Sequence, residues 1–338
     1  MTDTRGGSGR IDLLSLAPEL GRAYRPIERE MEALNRLLHT EFRSPEPFLE
    51  ELLVHIACFR GKQIRPACLF LAARCVGDTS ESHITSGAVV ELIHTATLVH
   101  DDLLDDARLR RRVETVNKRW GERAAVLLGD FIYSRGFSLS TEVEGVSKLL
   151  ADTTHTICEG ELLQVGSAFD TTLCEDRYNE IIHKKTAVLY GMASRIGAML
   201  AGAREEHARI FESFGNSLGM AFQISDDALD LTGDEGVVGK SLGTDLKMGK
   251  MTLPLIRLRE ALRGGKLEEY LWLLEHPNEM GTHKRVHHML LENDILKGVR
   301  EIASGHVDEA IGALEQVPPS SYRECLMDLA RFILDRHV

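Results

Sequence analysis

The sequence predicts an all-α protein, one large helical bundle around a central cavity. No proline occurs between Pro66 and Pro254, and that interval is dense in Ala, Leu, Glu and Arg. Its apolar residues recur three and four positions apart, the spacing that lines one face of a helix. No alternating strand pattern of useful length interrupts it.

The elements follow in order. Residues 1–10 are small, polar and glycine-rich, lack the apolar core of a signal peptide and read as a disordered tail. Helices are expected over about 11–40, 46–60, 63–76 and 80–107, with a break at Gly77-Asp78-Thr79-Ser80 before the fourth. In that fourth helix Val89, Val90, Ile93, Ala96, Thr97 and Val99 carry the period straight into an acidic cluster at Asp101. The next two, about 117–142 and 145–168, divide at Glu144-Gly145. Two more, about 174–202 and 204–232, end at a glycine-bearing break from Thr232 to Gly236, and 250–263 with several shorter helices completes the chain. No linker, low-complexity block or short-period repeat appears, so 11–338 is expected to be a single domain.

Composition narrows the function classes. An apolar fraction of 43% supplies a large core, and a formal charge of −12 argues against general nucleic-acid binding. Cys58, Cys68, Cys75, Cys158, Cys174 and Cys325 show no CxxC spacing, and most sit in apolar runs. They read as reduced core residues of a cytoplasmic protein. No stretch reaches the roughly 18 to 20 uninterrupted apolar residues of a membrane helix.

The chemistry is concentrated in two acidic faces. Asp101, Asp102 and Asp105 occupy positions i, i+1 and i+4 of a helix, with Asp101 and Asp105 one turn apart. Like charges so close on an otherwise apolar helix are unfavourable unless a cation neutralises them, and hard oxygen ligands select magnesium, manganese or calcium. One such cluster resembles an ordinary solvated face; the second copy, Asp226, Asp227 and Asp230, again at the end of a long apolar helix, points to a shared cavity with open coordination positions for phosphate oxygens. Six carboxylates alone would repel a diphosphate. Nearby cations are supplied by Lys62 and Arg65 near a helix start, by Arg110 and Arg111 after the first cluster, and by Lys185, Lys240 and Lys250 around the second.

On these motifs the chain resembles the trans-polyprenyl diphosphate synthase family, the relatives of farnesyl and geranylgeranyl diphosphate synthase. GKxxRP appears as Gly61 to Pro66, the first aspartate-rich motif with its arginine pair as Asp101 to Arg111, and the GD pair as Gly129-Asp130. GExxQ appears as Gly160 to Gln164, KT as Lys185-Thr186, FQxxDDxxD as Phe222 to Asp230, GK as Gly239-Lys240 and GKxTLP as Gly249 to Pro254. One departure is visible: Arg112 stands where the family usually has glycine, so the local turn is expected to differ.

The resemblance implies an isoprenoid-synthase-type bundle over 11–338 that condenses isopentenyl diphosphate with an allylic diphosphate, head to tail. It implies Mg2+, about three ions per site with Mn2+ as a substitute. The ions would bridge Asp101, Asp102, Asp105 and Asp226, with Asp227 and Asp230 acting through bound water. Arg110, Lys185 and Lys250 would hold the allylic diphosphate directly; Lys62, Arg65, His94 and Arg111 would hold isopentenyl diphosphate without metal. Side-chain oxygens of Thr186 and Gln223 would stabilise an allylic cation, Gln223 also touching substrate, and Lys240 would close the site. The released pyrophosphate would serve as the base, and the family usually forms homodimers through helices next to the GD pair.

The growing tail must leave the acidic clusters between helices. Thr97 and Ala96, four and five residues before Asp101, are small where short-product relatives carry bulky aromatics. A helical turn rises ~5.4 Å, comparable to one isoprene unit, so the product is expected to reach roughly six units or more. Ile93, Phe131, Tyr133 or Phe137 are candidates for a deeper floor. Intact twin clusters and the basic isopentenyl site favour elongation over a terpene cyclase, a head-to-head coupling enzyme or a silent subunit. A metal-storage bundle would need further Glu-x-x-His pairs beside Glu91 to His94.

Overall fold

The computed structural model describes residues 18–59, 61–232 and 243–334. The glycine-rich tail and Lys240 lie outside the described residues.

The chain is helical nearly throughout, and the departures from expectation have local causes. The first long helix is divided into α1 (Pro18–Tyr24) and α2 (Glu28–Glu41) by a 3-10 turn at Arg25–Ile27. Pro26 has no N–H to continue an α ladder, which sets the break. Then come α3 (Pro47–Ala57), α4 (Ile64–Val76) and α5 (Glu81–Leu104). Beyond α5 the chain forms a two-residue hairpin, β1 (Leu109–Arg110) with β2 (Val113–Glu114), in the register Leu109↔Glu114 and Arg110↔Val113. Strands this short leave no alternation to read. Gly121, at φ 88, divides the next expected helix into α6 (Val116–Trp120) and α7 (Glu122–Ser140).

After α8 (Val146–Gly166) comes the most consequential irregularity. The expected helix at 174–202 is α9 (Glu175–Ile182), one π turn at His183–Ala187, and α10 (Val188–Leu200). The π turn carries Lys185 and Thr186, and such bulges recur at functional sites. It is wedged between two glycines: a Cβ on Gly160 of α8 would fall 2.6 Å from the Lys185 backbone nitrogen, and one on Gly219 would fall 2.5 Å from Ala187 Cα.

α11 (Glu205–Thr232) runs through the molecule, packed on α10 and on α16 (Ile295–Leu314). Phe211, Phe214, Leu218 and Ala221 belong to a large core shared with α1 to α8, α10, α16 and the C-terminal α17 (Ser321–Leu334). Farther along α11, Ile224, Ala228 and Leu231 belong to a second core with Tyr178, Leu253, Ile256 and Tyr270, formed with α9, α13 (Leu253–Ala261), α14 (Gly265–Glu275) and α15 (Thr282–Glu292). A short α12 (Thr244–Lys247) lies between α11 and α13.

The cysteine reading needs correction. Cys68 is buried, but Cys58, Cys158 and Cys174 are exposed and Cys75 and Cys325 are intermediate, all as free thiols. Cys58 and Cys174 cap helices, where an apolar run meets the surface. Among the described residues no helix is long and apolar enough to cross a membrane.

Candidate active site

Both aspartate clusters sit at helix C-termini. Asp101 and Asp102 occupy the last turn of α5 with Asp105 as its C-cap, while Asp226, Asp227 and Asp230 occupy the last two turns of α11. Carboxylates there oppose the negative end of each helix dipole, so the arrangement demands cations.

The chain brings three to the spot. Arg110, on β1, donates its Nε to both carboxylate oxygens of Asp102 at 2.8 Å. Burial raises the Asp102 pKa, opposed by that guanidinium; Arg110 keeps its charge because Asp102, Asp101 and Asp226 outweigh its own burial. Lys185 reaches Glu161 at 2.6 Å, Gln164 at 2.9 Å and Asp101 at 3.6 Å. Burial works against its charge, yet Asp101 and Glu161 more than compensate and raise its pKa. Lys250 contacts Asp105 at 2.8 Å and Asp245 at 3.6 Å.

Lys250 joins the two clusters. The N–H of Asp245 donates to Asp230 Oδ2 at 3.1 Å, and Thr244 donates to Asp230 Oδ1 at 3.0 Å. A second line runs from the π turn: Thr186 Oγ1 donates to Gln223 Oε1 at 2.8 Å, and Gln223 Nε2 donates to Asp227 Oδ1 at 2.7 Å. Tyr178 OH donates to the other oxygen of Asp227 at 2.6 Å. Burial, then Asp245, pushes Asp227 up to about 8, against these two donors. Burial, then Asp101, pushes Glu161 up to about 7.

A second cationic pocket adjoins the first. Arg65, in the first turn of α4, lies 3.2 Å from His94 Nε2 and stacks over Tyr190 at 4.2 Å. Burial, then Arg65, Arg111 and Arg110, depresses the His94 pKa well below the ordinary value, so the ring is neutral and accepts from Arg65. Arg111 donates to the Phe59 carbonyl and lies against Gly61. Lys62 lies over the Phe332 ring at 4.7 Å, with its own carbonyl held by Tyr24 OH. Of the four residues expected to meet one diphosphate, Arg65, His94 and Arg111 therefore lie close enough to act on one another, while the Lys62 ammonium sits over Phe332.

The chain-length candidates divide by burial. Ala96 and Ile93 are fully buried, whereas Thr97, one turn before Asp101, is half-buried. Tyr133 of α7 stacks between His100 and Phe137 at 6.3 and 6.0 Å, a column of rings beside α5.

Sequence reasoning gave no role to several residues that complete the site. Glu161 and Gln164 stand three apart on one face of α8 within a motif that was legible, and their spacing was the available signal. Tyr178 and Asp245 had no such signal, since one phenol or one carboxylate in a helical chain is ordinary.

The sequence profile described as Polyprenyl synthetase matches residues 46–288. The chain is 35% identical over 314 residues to the octaprenyl diphosphate synthase of Escherichia coli (strain K12), covering 91% of this chain and 96% of that protein. It is 34% identical over 317 residues to the all-trans-nonaprenyl-diphosphate synthase (geranyl-diphosphate specific) of Rhodobacter capsulatus, covering 92% and 96%. In structure it resembles a polyprenyl synthase from Caulobacter crescentus CB15 crystallised with calcium and isoprenyl diphosphate, with a TM-score of 0.90 and 34% identity over 94% of this chain and 98% of that one. Motifs, fold and relatives agree: the chain belongs to the polyprenyl synthetase family.

Proposed function

We propose that this protein elongates an allylic diphosphate by head-to-tail condensation with isopentenyl diphosphate, giving a long-chain polyprenyl diphosphate. The observation that carries the reading is the pairing of two sites. An acid-rich site contacted by Lys185 and Lys250 lies beside a basic group of Arg65, His94 and Arg111, which with Lys62 would hold isopentenyl diphosphate without a metal. The octaprenyl and nonaprenyl names of the relatives support a long product.

Among the described residues no three His, Cys, Asp or Glu side chains close on one point to enclose an ion. Mg2+ would not require such an enclosure, since it takes one or two protein carboxylates per ion and substrate phosphate oxygens and water for the rest. Asp101, Asp105 and Asp226 would hold it directly, with Lys185 and Lys250 alongside; Asp102 is paired with Arg110 and supports that face, while Asp227 and Asp230 would act through bound water. When bound, Mg2+ neutralises charge developing on the departing diphosphate.

The side chains supply the rest. Lys185 and Lys250 bind the allylic diphosphate with Arg110, and the pocket around Arg65 orients isopentenyl diphosphate so that its double bond faces the allylic carbon. The carbon–oxygen bond to the diphosphate breaks, the double bond attacks the allylic cation, and loss of a proton to the released pyrophosphate restores an allylic product. The oxygen dipoles of Thr186 and Gln223 face the cation without offering a strong nucleophile. Lys240 completes the catalytic set in this reading.

The tail passes Thr97 toward the Tyr133–Phe137 column. Ala96→Phe is expected to shorten the product and Tyr133→Ala to lengthen it; unchanged chain lengths in both variants would remove this path. Leu127, Leu162 and Val165, exposed at 69%, 71% and 58% on neighbouring α7 and α8, support homodimer formation beside the GD pair. Light scattering after size exclusion tests it, a single-chain mass refuting it.

The decisive assay incubates the protein with labelled isopentenyl diphosphate and, separately, geranyl, farnesyl and geranylgeranyl diphosphates, with Mg2+ and with chelator. The expected result is a chelator-sensitive ladder ending beyond the geranylgeranyl stage. No elongation from any primer would overturn the proposal.

A further inference from the structure

Phe169 follows the C-terminus of α8 and is 59% exposed, yet its backbone lies at φ 63, a conformation a bulky aromatic residue rarely adopts. Its N–H donates to the Gly249 carbonyl at 2.8 Å. Its ring is seated on the bare Cα of Gly249, where a Cβ would come 2.5 Å from the ring. Gly249 is itself left-handed, at φ 67. The other side of Phe169 is equally fixed: Asp170 accepts from the N–H and hydroxyl of Thr172 at 2.9 and 2.6 Å, and Arg259 binds the Thr171 carbonyl. Strain at an exposed side chain persists only where the surroundings over-determine it, and it gathers at ligand clamps.

The residue after Gly249 is Lys250. Its N–H is held by the Asp245 carbonyl at 2.9 Å, and its ammonium reaches Asp105. We propose that Phe169 is a positioning residue for Lys250. The ring, fixed by a backbone it cannot relax, presses Gly249 into the left-handed turn that aims the lysine at the allylic diphosphate. This rests on the reading of Lys250 as a ligand of that diphosphate. An exposed phenylalanine at a position suited to glycine is then explained by what its ring holds, since the turn alone would form more readily without it.

The test is steady-state kinetics with both substrates, alongside thermal unfolding, for Phe169→Gly, Phe169→Tyr, Gly249→Ala and the Gly249→Ala/Phe169→Gly pair. Phe169→Gly removes the strain, so its melting temperature should equal or exceed that of the parent. Its KM for the allylic diphosphate should nevertheless rise about tenfold, with KM for isopentenyl diphosphate unchanged. Phe169→Tyr keeps the ring and should restore the parental KM. Gly249→Ala should raise the same KM, and by a smaller factor in the Phe169→Gly background, because no ring remains for the methyl group to displace. Equal rises for both substrates, a lowered melting temperature with unaltered KM, or additive effects in the pair would overturn the inference. A parent protein that elongates no primer would sink the proposed function as well, whereas an active parent with unchanged Phe169→Gly kinetics sinks this inference alone.

Discussion

Arg112 closes a two-residue hairpin loop in which Arg111 and Arg112 have φ of 51 and 66. Two positive angles are the geometry for which short hairpins select asparagine or glycine. The turn has therefore kept the conformation a glycine would favour, and the arginine carries its cost. Arg112→Gly is expected to raise stability by about 0.5 to 1 kcal/mol, read from urea unfolding midpoints. Asp102 is 2% exposed, and its carboxylate meets Arg110 with paired contacts. Asp102→Ala would strand that guanidinium and should cost about 3 kcal/mol of stability, beyond any loss of activity. That pairing was only half legible: the sequence placed an acid and a base near one site, but not which acid would turn toward the arginine and which toward the substrate. Tyr178→Phe takes one donor from Asp227 and should reduce stability by about 1 to 2 kcal/mol.

At the scale of elements, α5 illustrates what periodicity can and cannot tell. Its apolar repeat made the helix readable, and its start is fixed by a capping box between Ser80 and His83. The Ser80 N–H donates to His83 Nδ1 at 3.0 Å, which leaves Nε2 to donate to the Gly197 carbonyl at 3.2 Å. Burial depresses the His83 pKa from 6.5. The unfolded chain therefore binds the extra proton first, so this contribution to stability is present above pH 6.5 and is lost as the pH falls through and below it. His94 and His183 shift in the same direction, so only a comparison isolates His83. His83→Gln keeps a capping residue at the same position and should lose less stability than the parent between pH 7.5 and 5.5, in unfolding titrations at both values. Breaks at Pro26 and Gly121 fall on helix-breaking residue types, although the apolar period alone reads straight through both. The π turn has no such marker, because an extra residue in one turn changes neither composition nor apolar spacing by a visible amount. Only the close approach of Gly160 and Gly219 gives it away.

At the scale of the molecule, the readable part was the set of long apolar helices and the order of the charged motifs. The unreadable part was which motifs meet. Lys250 and Asp105 are 145 positions apart and touch, a contact decided by packing across the whole bundle. The same packing leaves α11 in both cores. Its amides should therefore exchange with deuterium only when the entire protein unfolds, those of the last turn included, because Ala228, Asp230 and Leu231 are buried and Asp230 is held by Thr244 and Asp245. A diphosphate bound at that end would thus slow exchange along the whole of α11 together, and the helix would record the grip on substrate as added resistance of the entire molecule to opening.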